Sequence, residues 1–190
     1  MERVPLERRR IRVQAFLGGL PDGHRPFYFT MESTNGKKLH NFEQARDVVD
    51  YGIELHAQLN ALYHGLSDAS DQTRVKLLLH YLSRHERNRA EAMRRFEQPP
   101  HAKSLDVWLQ YAPSLEIEQM LKNCGARADL SVDDVVKTAL RFDDALTEIY
   151  KEAAREAEDT NARAVFENLV EMEVREKQRF VRDTEWMEDM

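Results

Sequence analysis

Glu86, Asp143, Glu173 and Glu176 interrupt runs of apolar residues that recur at intervals of three and four, the spacing that lines up one face of a helix. One seam reads Val75, Leu79, Leu82, Glu86, Arg89, Met93, Phe96. A second reads Val132, Val136, Ala139, Asp143, Leu146, Tyr150, Ala153, Ala157, and a third Ala162, Phe166, Leu169, Glu173, Glu176, Phe180. A fourth, Phe42, Ala45, Val49, Gly52, His56, Leu59, Tyr63, Leu66, carries a histidine instead of an acid. Burying a charge costs several kcal/mol unless it is paired or bound to metal. Each interruption falls near the middle of its helix, so the polar groups should share one layer whichever way the helices run. Arg89 alone cannot neutralise four carboxylates. The layer must therefore hold protons, bind a cation or contain water.

The elements that would position this layer follow from the same pattern. Periodicity predicts helix A over about 41–66 and helix B over about 71–97, joined by Ser67-Asp68-Ala69-Ser70, with Ser70 or Asp71 able to cap helix B. Pro99-Pro100 stops helix B. A crossing over 98–131 follows, with short amphipathic helices expected at Ser104 to Tyr111 and Ser114 to Asn123. Ser131, Asp133 and Asp134 favour a helix start, giving helix C over about 132–158, and helix D runs over about 160–187. Residues 1–40 hold the turn signals Gly18-Gly19, Pro21-Asp22-Gly23 and Asn35-Gly36 around two β-prone runs, and are read as an irregular arm with a short hairpin. The bundle domain then covers 41–190. Hairpin, long crossing, hairpin is the connectivity of a four-helix bundle with one crossover.

A chain of 190 residues with 42% hydrophobic and 33% charged residues suits one all-α domain. The net charge of −6 argues against nucleic-acid binding, although Arg3, Arg8, Arg9, Arg10 and Arg12 make the first residues basic. That cluster reads as a solvated or partner-contacting arm. Cys124 is the single cysteine, which excludes intrachain disulfides and cysteine-rich metal sites, and it sits where a helix should end. No apolar run approaches the roughly 20 residues of a membrane span, and a cytoplasmic location is expected. There is no Gly-rich phosphate loop and no Gly-x-Ser-x-Gly turn.

Over about residues 41–187 the chain resembles the ferritin-like superfamily, in particular rubrerythrin-type and bacterioferritin-type proteins. The stretch Arg84-His85-Glu86-Arg87-Asn88-Arg89 resembles the family's helix B motif, with Glu86 at the bridging carboxylate and Arg89 where a histidine belongs. Glu171-Met172-Glu173-Val174-Arg175-Glu176 resembles the helix D motif, with Glu173 at the carboxylate and Glu176 in place of the histidine. Asp143 precedes Tyr150 by seven residues, as the family's helix C carboxylate and tyrosine do. The same spacing in helix A falls on Val49 and His56, so that carboxylate is missing. The resemblance implies a dimetal template with one half lost, because a guanidinium cannot ligate.

Two readings of the layer stay open. In the first, Arg89 pairs with Glu86, Glu173 and Glu176 while Asp143 bonds Tyr150 or water, giving a pseudo-site without a di-iron centre in a non-oxidase binding or assembly module. In the second, Asp143, Glu173, Glu176 and Glu86 hold one divalent ion, Mg²⁺, Ca²⁺, Mn²⁺ or Fe²⁺, for oxidoreductase or hydrolase chemistry. His56 is read as a hydrogen-bonded core histidine. A third possibility is a small-molecule pocket beneath the crossing, where Trp108, Tyr111 and Met120 could gather. A homodimer is expected, with the N-terminal arm available to it or to another protein.

Overall fold

The computed structural model describes residues 42–96, 104–111, 116–124 and 130–188. The chain runs β1 (Phe42–Gln44), α1 (Ala45–Ala69), α2 (Thr73–Met93), β2 (Trp108–Tyr111), α3 (Glu116–Cys124), α4 (Val132–Glu156) and α5 (Thr160–Glu188). Helices α1 and α2 pack together, as do α4 and α5, and α4 bridges the two pairs through α1 and α2. The links between members of a pair are so short that each pair must be an antiparallel hairpin. The expected N-terminal arm, its hairpin and the Pro99-Pro100 stop lie outside the described residues.

Local chemistry sets the helix starts. At α4 the Ser131 hydroxyl accepts from the Asp134 backbone N–H at 3.1 Å while Asp134 accepts from the Ser131 N–H at 3.2 Å, a reciprocal cap that meets the expectation. At α5 the Asp159 carboxylate accepts from the N–H groups of Asn161 and Ala162, both at 2.9 Å. For α2 the expected cap is displaced: Gln72 occupies the N-cap position with no side-chain bond, and Ser70 accepts from the Gln72 N–H at 3.3 Å.

The crossing differs from expectation in one respect. Ser104 to Tyr111 is not a short helix: Trp108–Tyr111 pairs antiparallel with Phe42–Gln44, in a register of Phe42 with Tyr111 and Gln44 with Trp108 broken by an irregularity between them. The Ala45 N–H continues the pairing to the Val107 carbonyl at 2.8 Å. A backbone ladder available across the sequence outweighs the weak helical pattern of the segment. Trp108 is 69% exposed, so it does not cover the bundle. The second short helix is present as α3.

The seams meet in the core, except that Phe42, expected at the start of helix A, lies in β1, and α1 begins at Ala45. Leu59, Leu79, Leu82, Leu146, Phe166 and Leu169 are each at most 2% exposed, and each such side chain contributes about 1.5–3 kcal/mol by leaving water. A second stripe on each helix, including Val48 and Leu55 on α1, Leu78 on α2 and Phe142 on α4, widens the apolar face. Val49 is fully buried and apolar in this core. Gly52 solves a local packing problem. A Cβ there would stand 1.9 Å from the Tyr150 hydroxyl and 2.8 Å from the Met93 terminal methyl, so only glycine admits the tyrosine. Among the described residues, no helix is long and apolar enough to cross a membrane.

Candidate functional site

At mid-height in the bundle, His56 from α1, Glu86 and Arg89 from α2, Asp143 from α4 and Glu173 from α5 are all buried and interconnected. Arg89 follows Glu86 by three residues, so both leave α2 on the same face toward the other hairpin. Its Nη1 donates to Asp143 Oδ1 at 2.6 Å and lies 3.4 Å from Glu86 Oε1, while its Nη2 donates to Glu173 Oε2 in a close contact. Its Nε is buried without a hydrogen-bond partner among the described residues. His56 closes the network from the other side, with Nδ1 2.6 Å from Glu86 Oε2 and Nε2 3.3 Å from Glu173 Oε1.

The electrostatics follow from this geometry. Burial opposes a charge on His56, but Glu86 and Glu173 outweigh it and raise the imidazole pKa to about 9. At neutral pH His56 is therefore an imidazolium, and both ring nitrogens donate. Burial likewise opposes ionisation of Glu86 and Glu173, and the cations Arg89 and His56 overcome it to hold both carboxyls below their ordinary value. Asp143 goes the other way: burial pushes it up to about 6, against the pull of Arg89. The layer thus holds two cations against two firmly ionised carboxylates and a third that is poised to take a proton.

The sequence itself matches no protein-family model and no curated protein sequence. Among solved structures, the 2.30 Å crystal structure of a ferritin-like diiron-carboxylate protein from Thermotoga maritima aligns with a TM-score of 0.50 at 19% identity, over 75% of this chain and 95% of that one. The chain has the ferritin-like fold.

Within this ferritin-like bundle the site residues named from sequence separate into two groups. Glu86, Arg89, Asp143, Glu173 and His56 come together; Glu176 and Tyr150 do not join them. The Glu176 side chain is 31% exposed, with Oε2 3.6 Å from His85 Nε2 at the edge of the α2–α5 contact. Although only three residues from Glu173, it falls at the boundary of the face that α5 buries and not within it. Tyr150 is fully buried, but its hydroxyl meets Met93 Sδ at 3.5 Å rather than Asp143. Asp143 is bonded by Arg89, and its backbone carbonyl accepts from the Thr147 hydroxyl at 2.7 Å.

His56 is the residue whose weight the sequence understated. Its seam position marks it as interior, yet only the helix offset reveals that it reaches two carboxylates and is charged. Among the described residues, no group of three or more His, Cys, Asp or Glu side chains is arranged so as to hold a metal ion. His85 is a boundary residue that stacks on Tyr81 at 5.8 Å, and Tyr81 in turn stacks on Phe180 at 6.2 Å. A separate cavity lies on the α3 side of the bundle, where Met120 does line the wall and Trp108 does not.

Proposed function

We propose that this ferritin-like protein carries no di-iron centre and serves as a non-oxidase binding or assembly module, with Arg89 and His56 balancing the carboxylates where metal ions would otherwise do so. The observation that carries the proposal is the Arg89 guanidinium, which bonds Asp143 and Glu173 through its two terminal nitrogens and faces Glu86 as well. A guanidinium is a permanent cation with no lone pair to offer a metal. Both oxygens of Glu86 and both of Glu173 are already engaged by Arg89 or His56. An entering ion would have to break charge-assisted bonds beside two existing positive charges. The donor set does not fit a dinuclear centre.

The same balance weakens the case for one Mg²⁺, Ca²⁺ or Mn²⁺ ion, which depends on uncompensated negative charge. Glu176 stands outside the layer and His56 supplies a second cation. In this role the layer specifies which helix faces meet, because any other register of α5 against α2 strands Glu173 or Arg89 unpaired in the core.

Elemental analysis of protein produced in iron- and manganese-supplemented medium tests the proposal, together with iron oxidation by peroxide and thermal melts with and without chelator. Substoichiometric metal, no oxidase activity and an unchanged melt are expected. Two ions about 3.5–4 Å apart, or peroxide-dependent iron oxidation, would overturn it. One stoichiometric ion with a melt lowered by chelator would favour a mononuclear metalloenzyme instead.

A further inference from the structure

Between α1, α2, α3 and α4, beneath the crossing, lies a cavity of about 140 Å³. Its walls are apolar where Leu66, Leu79, Leu130 and Val135 line it; Asn123 of α3 and Thr138 and Arg141, one turn apart on α4, add polar groups to the lining. Arg141 is exposed, so a charged group can meet it without leaving water completely. Tyr63 also lines the cavity; it is 2% exposed, and its hydroxyl has no hydrogen-bond partner among the described residues. A buried hydroxyl left unpaired is costly, and phenylalanine would fill the same space without that cost. The hydroxyl therefore points to a missing acceptor.

Size narrows the class of molecule that supplies it. An apolar protein cavity of about 150 Å³ accommodates one benzene ring, and the present one is close to that volume. We propose that this cavity binds a small carboxylate with an apolar body the size of one aromatic ring. Its carboxylate meets Arg141, and a hydrogen-bond acceptor at its opposite end takes the Tyr63 hydroxyl. None of His56, Glu86, Arg89, Asp143 or Glu173 lines the cavity, so the inference stands apart from the reading of the polar layer.

Calorimetric titration of the full-length protein with 4-hydroxybenzoate, benzoate and benzyl alcohol provides the test. The first should bind most tightly, since it alone carries both polar ends. Replacing the hydroxyl in Tyr63→Phe should leave the fold intact and abolish the advantage of 4-hydroxybenzoate over benzoate. Arg141→Gln, a change at an exposed position, should weaken both acids about tenfold, the worth of one charge-assisted bond, while leaving benzyl alcohol unaffected. Absence of saturable binding at about 5 mM by all three probes, or binding of the acids that neither substitution alters, would overturn the assignment.

Discussion

Raising the pH from 6 to 10 should destabilise this protein through His56. The imidazole pKa is 6.5 in the unfolded chain and about 9 in the fold, so the native state holds its proton more tightly. Stability from that proton is fully present below pH 6.5 and is lost as pH rises through 9. A tenfold difference in proton affinity between the two states is worth about 1.4 kcal/mol, so the loss amounts to about 3 kcal/mol. That is a large part of the 5–15 kcal/mol typical of a folded domain. The slope should be steepest between the two values, approaching about 1.4 kcal/mol per pH unit for a single proton. Urea unfolding at intervals across this range measures it, against a His56→Gln variant that cannot ionise. The variant should be less stable near pH 6 and much flatter toward pH 10. In parallel, the His56 ring resonance, identified by its disappearance in the variant, should titrate near pH 9. A His56 midpoint near 6.5, or an equal slope in the variant, would refute the claim that Glu86 and Glu173 hold it charged.

Arg89→Met should cost about 3–5 kcal/mol in urea denaturation, because it leaves Glu86, Asp143 and Glu173 without their shared cation; a loss below about 1 kcal/mol would mean that water already shields them. Asp143 should titrate near pH 6 by carboxyl NMR, well above ordinary aspartates. Since its folded value is raised, its stabilising contribution is present below pH 3.8 and disappears as pH climbs through 6. Gly52→Ala should destabilise by about 1–3 kcal/mol, because the new methyl collides with the Tyr150 hydroxyl. Adding Tyr150→Phe should recover most of that loss, and Tyr150→Phe alone should change little, its hydroxyl having only a 3.5 Å contact with sulfur; a double-mutant cycle by thermal melts checks the coupling.

The seams are legible in sequence because burial imposes a period on each helix, and the phases of Glu86, Arg89, Asp143 and Glu173 in that period match their burial. The pattern does not resolve the edge of a face. Glu176 shares the three-four rhythm yet sits a fraction of a turn too far round, beside His85. Nor does it give contacts between helices, which depend on their axial offset. His56 therefore reads as interior but not as the second cation of the layer. The ladder of β1 and β2 leaves almost no trace, since strands of three and four residues are too short to show alternation, and Trp108 fits an amphipathic helix equally well.

That small ladder bears on the order of folding. Each helical hairpin is closed by a short link, so its contacts form locally and fast, whereas Phe42 and Tyr111 meet only after the whole α1–α2 hairpin has intervened. The ladder should therefore form late, tying the start of α1 to β2 once the hairpin exists. Its amides should accordingly exchange with solvent by local opening, without unfolding the bundle below. Weakening the exposed Arg46–Asp106 pair beside it, at 2.6 Å, should then speed unfolding of the crossing while leaving the bundle's folding rate unchanged.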